Sequence, residues 1–255
     1  MSNVYHLGLD EGKIEEARFA FLPGDPDRVK FIAQSFDSNS KEIAYKREYR
    51  SYLGKMKGES VLVTSTGIGG PSTSIAVEEL AQFGVKIFIR IGTTGAIQKN
   101  IKLADVIITT GSVRLDGAST HYAPVEYPAV ADYEVLHALV EAAKTLELRH
   151  HMGITASCDT FYPGQERKDS YLGYTIRRFQ GSMEEWQRLN VLNYEMESST
   201  LLTMANAMRL KAGCVMGVIV NRTESEEINS KDVEKAEINA VSVAIEAMKA
   251  LILQR

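Results

Sequence analysis

Cysteine is scarce in this chain of 255 residues, with Cys158 and Cys214 alone. Two are too few for a disulfide scaffold, and neither has metal-ligand spacing. Each lies in an apolar run, which predicts buried free thiols. Tryptophan is scarcer still: Trp186 is the single one, in a stretch over 182–189 that reads as a short helix. Positive charge is not in excess. The net charge of −4 argues against a general nucleic-acid-binding face, though not against one local basic pocket. No apolar run reaches the roughly 20 residues that a membrane span needs. The first six residues hold no basic stretch followed by an apolar one. These absences predict a cytoplasmic protein with neither membrane nor nucleic-acid partners. There is no internal repeat, low-complexity tract or dividing linker, so 1–255 is expected to be one domain.

What remains is an ordinary globular composition, 44% hydrophobic and 24% charged. A single domain of this length buries roughly 70–75% of its unfolded-chain surface and needs no covalent staples. The stretch over 61–95 organises the rest. A β-branched run, Val61-Leu62-Val63-Thr64, leads into the glycine-rich turn Ser65-Thr66-Gly67-Ile68-Gly69-Gly70-Pro71. Ser72 reads as an N-cap for a helix over 72–83, with Ala76, Leu80 and Phe83 on one face and Gly84 at C′. A second strand, Ile87-Phe88-Ile89, ends in the loop Arg90-Ile91-Gly92-Thr93-Thr94-Gly95. This is a β-α-β unit. If the two strands pair in parallel, both glycine-rich loops lie at the carboxyl edge of one sheet, where open α/β sheets bind ligands.

Elsewhere, residues 1–17 read as polar surface, with His6 as a solvated tail histidine. A strand over 18–22 precedes Pro23-Gly24-Asp25-Pro26-Asp27-Arg28. There Asp25 fits an N-cap and Pro26 the first position of a helix to about residue 34. Arg28 in its first turn reads equally as part of an anion site or as an exposed arginine on a capped turn. Lys46-Arg47-Glu48 reads as a solvated charged trio, and 55–60 as a hairpin turn. A strand over 104–110 leads to a long loop or irregular strand pair over 111–128, with a loop histidine, His121. A helix follows over 132–146. His150 and His151 are strand neighbours that point to opposite faces and make a poor metal pair. The strand over 153–158 ends in a polar and aromatic loop, 159–167, and 168–179 reads as a polar, mobile segment. Glu195 and Glu197 bracket Met196 at a strand-to-helix junction, and alone they read as a capped helix start. A strand over 214–220, a charged exposed segment over 224–237 and a final helix over 239–254 complete the chain.

Taken together, several of these stretches resemble one family. STGIGGPSTSIAVEEL at 65–80 is similar to the signature of the nucleoside phosphorylases, which include uridine phosphorylases and hexameric purine nucleoside phosphorylases. PGDPDR at 23–28, RIGTTGAI at 90–97, TFYPGQER at 160–167, NYEMES at 193–198 and VIVNRT at 218–223 follow in the family's order. The resemblance spans nearly the whole chain and fits the uridine branch best. It implies an α/β fold, a three-layer α/β/α sandwich around a mixed, curved sheet. It also implies reversible phosphorolysis of uridine to uracil and ribose 1-phosphate, in pyrimidine nucleoside salvage. The alternatives are a purine nucleoside phosphorylase or a phosphate-independent nucleosidase.

The same resemblance implies residue roles. Gly24, Arg28, Arg90 and Thr93 would hold phosphate, with Arg47 reaching in from a neighbouring subunit. Arginine offers phosphate a planar donor fork, and glycine lets backbone N–H groups come close. Met196 and Glu197 would hold the ribose, with His6 crossing from the neighbour. Gln165 and Arg167 would bond uracil, Arg222 would assist, and Phe161 would pack on the ring. Arg90, Glu197 and Arg167 are the expected catalytic residues. Asn221 stands where the purine branch has an aspartate that protonates the base, a departure that points to pyrimidines. A homohexamer, a trimer of dimers with shared sites, is implied. So is a potassium ion at the dimer interface through Glu48, Ile68 and Ser72, with no organic cofactor.

Overall fold

The computed structural model describes residues 4–227 and 229–254. Strand β1 (Phe19–Pro23) shows how the layers arise. Its side chains alternate between faces. Phe19 and Phe21 join one core, while Ala20 and Leu22 join another. Both faces of the strand are therefore covered, and it reads as a continuous apolar run. On the first face pack α2 (Pro26–Phe36), α4 (Tyr133–Thr145) and α7 (Ser230–Leu253). They contribute Ile32, Leu139 and Met248 among others. On the second face pack α1 (Glu11–Ile14), α3 (Gly70–Gln82) and α6 (Ser198–Ala207), through Ile14, Leu80 and Leu201. The result is the three-layer α/β/α arrangement expected.

The sheet is mixed. β2 (Lys41–Lys46), β3 (Tyr49–Met56) and β4 (Glu59–Thr64) form antiparallel hairpins. The turn expected over 55–60 is made by Lys57 and Gly58, both at positive φ. β1 lies between β4 and β5 (Ile87–Ala96) and is parallel to both. β5 is also parallel to β10 (Lys211–Asn221) along nearly its full length. β6 (Val106–Leu115) pairs with β10, with the two-residue β7 (Ala129–Val130) and with β8 (His150–Cys158). β9 (Val191–Glu195) joins β8 to the end of β5. Strands β5, β10, β6, β8 and β9 thus close on themselves, which gives the sheet its curvature. The short α5 (Ser182–Arg188) carries Trp186 as expected.

Several local expectations are corrected. β4 and β5 do not pair, because β1 is inserted between them, although all three remain parallel. The segment 90–95 is strand, not loop, since β10 supplies it with partners to Ala96. Gly69, at φ 97°, caps α3, and Ser72 sits inside the first turn. Five of the residues assigned to a polar surface tail, Val4, Leu7, Leu9, Ile14 and Ala17, are buried. Residues 1–3 of that tail lie outside the described set. β6 extends to Leu115, so the irregular region is shorter than 111–128. The last helix begins at Ser230, with Asn229 accepting from the Lys231 N–H, so half of the supposed charged segment is helical. His150 and His151 part as expected: one bonds the Leu148 carbonyl and the other the Asp105 carboxylate.

Candidate active site

Loops and strand ends from distant parts of the chain surround a cavity of about 640 Å³. The volume suits a ligand of nucleoside size together with a small anion. Gly24 comes from the β1–α2 turn and Arg28 from the first turn of α2, and Gly67 and Ile68 come from the turn after β4. Arg90 and Thr93 project from β5. Phe161, Gln165 and Arg167 come from the loop after β8, and Met196 and Glu197 from the β9–α6 junction.

One end of the cavity gathers two guanidinium groups and the start of a capped helix. Asp25 caps α2 by accepting from the Asp27 N–H at 2.8 Å, so the first turn of the helix faces the cavity with Pro26 at its start. A Cβ on Gly24 would lie 3.4 Å from the Gly67 carbonyl oxygen and 4.0 Å from Arg90 Nη1, so the backbone approach there is close. Arg28 is not the exposed arginine of the alternative reading. Its side chain is mostly covered and faces Glu237 of α7 at 3.7 Å. Burial pulls its pKa down, with Arg90 adding to the effect and Glu237 opposing it. Burial conversely pushes the Glu237 carboxyl up.

Arg90 is the centre of the site. Its Nε donates to Glu195 Oε2 at 3.0 Å and its Nη2 to Glu197 Oε2. Burial works against its charge, but Glu197 and Glu195 outweigh it and hold the guanidinium above its ordinary pKa. Nη1 is buried and has no hydrogen-bond partner among the described residues. A buried guanidinium donor left unmatched is costly, and the one at Arg90 borders the Gly24 turn.

The two glutamates at 195 and 197 divide the work. Glu195 does cap α6, accepting from the N–H groups of Glu197 and Ser198 and from Ser198 Oγ. Glu197 occupies the N-cap position but makes no side-chain cap bond. Its Oε1 instead accepts from the Gly69 N–H at 2.5 Å. Burial, reinforced by Glu195 and opposed by Arg90, raises its pKa.

The other end is a ring of polar groups. Arg167 lies over the Phe161 ring, its Cζ 3.8 Å from the centroid. Its Nε and Nη2 reach Gln165 Oε1 at 3.4 and 3.3 Å. Burial lowers its pKa, and the charge of Arg222 adds to that. Arg222 does not line the cavity. It acts from behind, donating through Nη1 to the Gln165 carbonyl at 2.9 Å. Asn221 also stays outside. Its Nδ2 bonds the Gln98 and Ile101 carbonyls, and its Oδ1 accepts from Thr223.

His6, Arg47 and Ser72 do not border this cavity. His6 is not a solvated tail residue. Its Nδ1 lies 2.7 Å from Glu79 Oε1, and Glu79 also accepts the N–H groups of His6 and Leu7. Arg47 is exposed on the β2–β3 turn at φ 59°, beside the Tyr5 ring. Ser72 Oγ is 3.2 Å from the Ile68 carbonyl, and Glu48 packs against Gly67.

Several lining residues were given no site role from the sequence, among them Tyr194, Glu195 and Glu226. Tyr194 lies in the NYEMES motif but carried no role there, and Glu226 lies in a charged run that reads as solvated. Glu195 was visible as half of an acidic pair, but its partner was not.

The chain matches the family model described as the phosphorylase superfamily over residues 18–253. It is 56% identical to the uridine phosphorylase of Salmonella typhimurium, over 98% of this chain and 99% of that protein. It is 49% identical to the uridine phosphorylase of Thermococcus kodakarensis, over 97% of this chain and 86% of the relative. A guanosine phosphorylase of Halorubrum lacusprofundi is 35% identical over 98% of this chain and 100% of its own.

Proposed function

The chain belongs to the phosphorylase superfamily, and from that premise we propose that it catalyses the reversible phosphorolysis of uridine to uracil and ribose 1-phosphate, in pyrimidine nucleoside salvage. The observation that carries this reading is the unmatched Nη1 of Arg90 beside the Gly24 turn. An acceptor from outside the protein is needed there, and a phosphate oxygen supplies it. Arg28, Arg90, Thr93 and the Gly24 backbone then hold phosphate below the sugar. Orientation is the main task, because phosphate is a weak nucleophile. Glu197 accepts from the ribose hydroxyls, and Met196 packs against the sugar. As the glycosidic bond lengthens, positive charge grows on the ribose, and the Glu197 carboxylate opposes it at close range. Gln165 bonds the uracil edge, while Arg167 stabilises negative charge on the departing base.

The placement of Asn221 favours the pyrimidine reading over the purine one. Its amide hydrogens are committed to two backbone carbonyls, so it offers no proton to a base.

His6 and Arg47 complete no site within one chain, which supports a homohexamer built as a trimer of dimers in which they serve a neighbour. In that assembly an isolated subunit is inactive, and activity that sediments with monomer would refute it. The Glu48 carboxylate, the Ile68 carbonyl and the Ser72 hydroxyl stand around one turn. Such hard oxygen donors suit potassium, which would offset carboxylate charge between subunits. No helix among the described residues is long and apolar enough to cross a membrane. Two free, buried thiols fit a reducing cytoplasm.

The test is base release from uridine and from inosine, each with and without phosphate. Uracil released only with phosphate is expected. Hypoxanthine release would overturn the base assignment, and release without phosphate would make the protein a hydrolase.

A further inference from the structure

The base end of the cavity contains a carboxylate with no role in the reading above. Glu226 Oε2 accepts from Arg167 Nη1 at 2.7 Å, and Oε1 accepts from Arg222 Nε at 2.7 Å. Each carboxylate oxygen therefore takes one guanidinium. Both guanidiniums also converge on Gln165, Arg167 at its side-chain oxygen and Arg222 at its backbone carbonyl. The four residues form a closed ring, Glu226–Arg167–Gln165–Arg222. Glu226 lines the cavity, and its side chain is 39% exposed, so it is a member of the site and not a remote support.

We propose that Glu226 is a positioning and specificity-determining residue of the base subsite, which clamps Arg167 and Arg222 and sets the net charge that the base meets. The inference rests on the uridine reading and adds to it. Two arginine side chains, largely buried and close enough to oppose each other's charge, repel. The shared carboxylate cancels one of the two charges and fixes both planes, Arg167 against Phe161 and Arg222 behind Gln165. A neutral pyrimidine edge then meets one net positive charge instead of two.

That difference matters at the product stage. Full twofold positive charge would hold an anionic base tightly after bond cleavage and slow its departure. With Glu226 in place, Arg167 retains enough charge to favour bond breaking, while the subsite holds the free base less firmly. Glu226 engages Arg167 Nη1 at 2.7 Å, whereas Gln165 Oε1 meets Nε and Nη2 only at 3.4 and 3.3 Å, so a base carbonyl reaches Arg167 by replacing the longer Gln165 contacts. This defines where an acceptor must stand on the ring, and therefore selects among bases.

The experiment compares wild type with E226Q and E226A in the assembled enzyme, using uracil, hypoxanthine and inorganic phosphate as probes. E226Q keeps the shape and removes the charge. Measured in alkaline solution, where free uracil is the anion, uracil should bind about tenfold more tightly to it, on the scale of one unit charge a few ångströms away in a partly wet site. Its kcat for uridine should fall more than its KM rises, and its affinity for phosphate should stay as in wild type. E226A removes the clamp as well, so KM for uridine should rise and hypoxanthine should be discriminated less well. Unchanged affinity for the uracil anion in E226Q, with uracil bound normally by wild type, overturns the charge role alone. Equal changes in phosphate and uracil affinity overturn it too, since they indicate a general disturbance. A wild type that binds neither base overturns the clamp and the uridine reading together.

Discussion

Arg90 donates through Nε to Glu195 Oε2 at 3.0 Å, across 105 residues of sequence. The bond joins the middle of β5 to the end of β9, and it turns the guanidinium so that Nη2 meets Glu197 and Nη1 is left toward the Gly24 turn. One side chain thereby couples the Gly24 end of the cavity to the Glu197 carboxylate.

Arg90→Ala should therefore do two things. Two charge-assisted hydrogen bonds to phosphate, at about 1.5–3 kcal/mol each, correspond to a KM for phosphate raised at least ~100-fold. Uridine binding should change far less. The variant also leaves Glu195 and Glu197 buried without their cation, a cost of about 3–5 kcal/mol. Initial rates at varied phosphate and uridine, with thermal unfolding alongside, separate the two effects. Loss of uridine affinity with normal phosphate dependence would exclude the phosphate role.

Arg167→Ala removes a guanidinium held on Phe161 and shared between Gln165 and Glu226. The kcat/KM for uridine should fall by about 100-fold, because charge on the departing base loses its nearest donor. Selection between uracil and other bases should relax, while phosphate KM stays near wild type. If only phosphate affinity fell, the assignment of this end of the cavity to the base would be wrong.

Cys158 should resist alkylation in the native protein. Burial, with Glu195 adding to it, pushes its thiol up to about 12. At pH 8 the thiolate fraction is then about 10⁻⁴, and the thiolate is the reactive form. Mass spectrometry after iodoacetamide treatment should find Cys158 unmodified until the chain is denatured. Rapid native labelling would show that the buried free-thiol reading is mistaken.

These tests draw on features of unequal visibility in the sequence. The three-layer arrangement was implied by the family resemblance, and only the structure shows its cause in β1, where Phe19 and Phe21 face one core and Ala20 and Leu22 the other. The turn around Asp25 was legible because capping is local chemistry. The extension of β5 through Gly95 was not, since its partners lie on β10, more than a hundred residues later. Ser72 was misread as a cap because the conformation at Gly69, which only the fold imposes, moved the helix start forward. Most lining residues could be named from motifs that resemble a known family. Glu226 was missed for a different reason. Its neighbours Glu224, Ser225 and Glu227 are polar, and only the return of the chain past Arg167 converts one of several exposed acids into a site residue.

Asp116 offers a test of how the site is held without touching it. Its carboxylate accepts from the Ser119 N–H and Oγ, from Ser199 Oγ and from Thr200 Oγ1, at 2.6–2.8 Å. Thr200 in turn packs on Gly70, where an added Cβ would lie 2.4 Å from its hydroxyl. The start of α6 is thus tied to the start of α3, the two segments that supply Glu197 and the Gly69 N–H bonded to it. Burial alone would raise the Asp116 pKa, but the donors outweigh it and the net direction is down. A carboxyl depressed in the folded state stabilises above its unfolded pKa, and that contribution is lost as pH falls through the lower folded value. Asp116→Ala should cost about 2–4 kcal/mol at neutral pH, from buried donors left unmatched. The gap in melting temperature between wild type and Asp116→Ala should then narrow as the solution is acidified below the ordinary carboxylate range. A gap that stays constant from pH 7 to strongly acidic solution would mean that the Asp116 charge contributes nothing, and that its hydrogen bonds act only through shape.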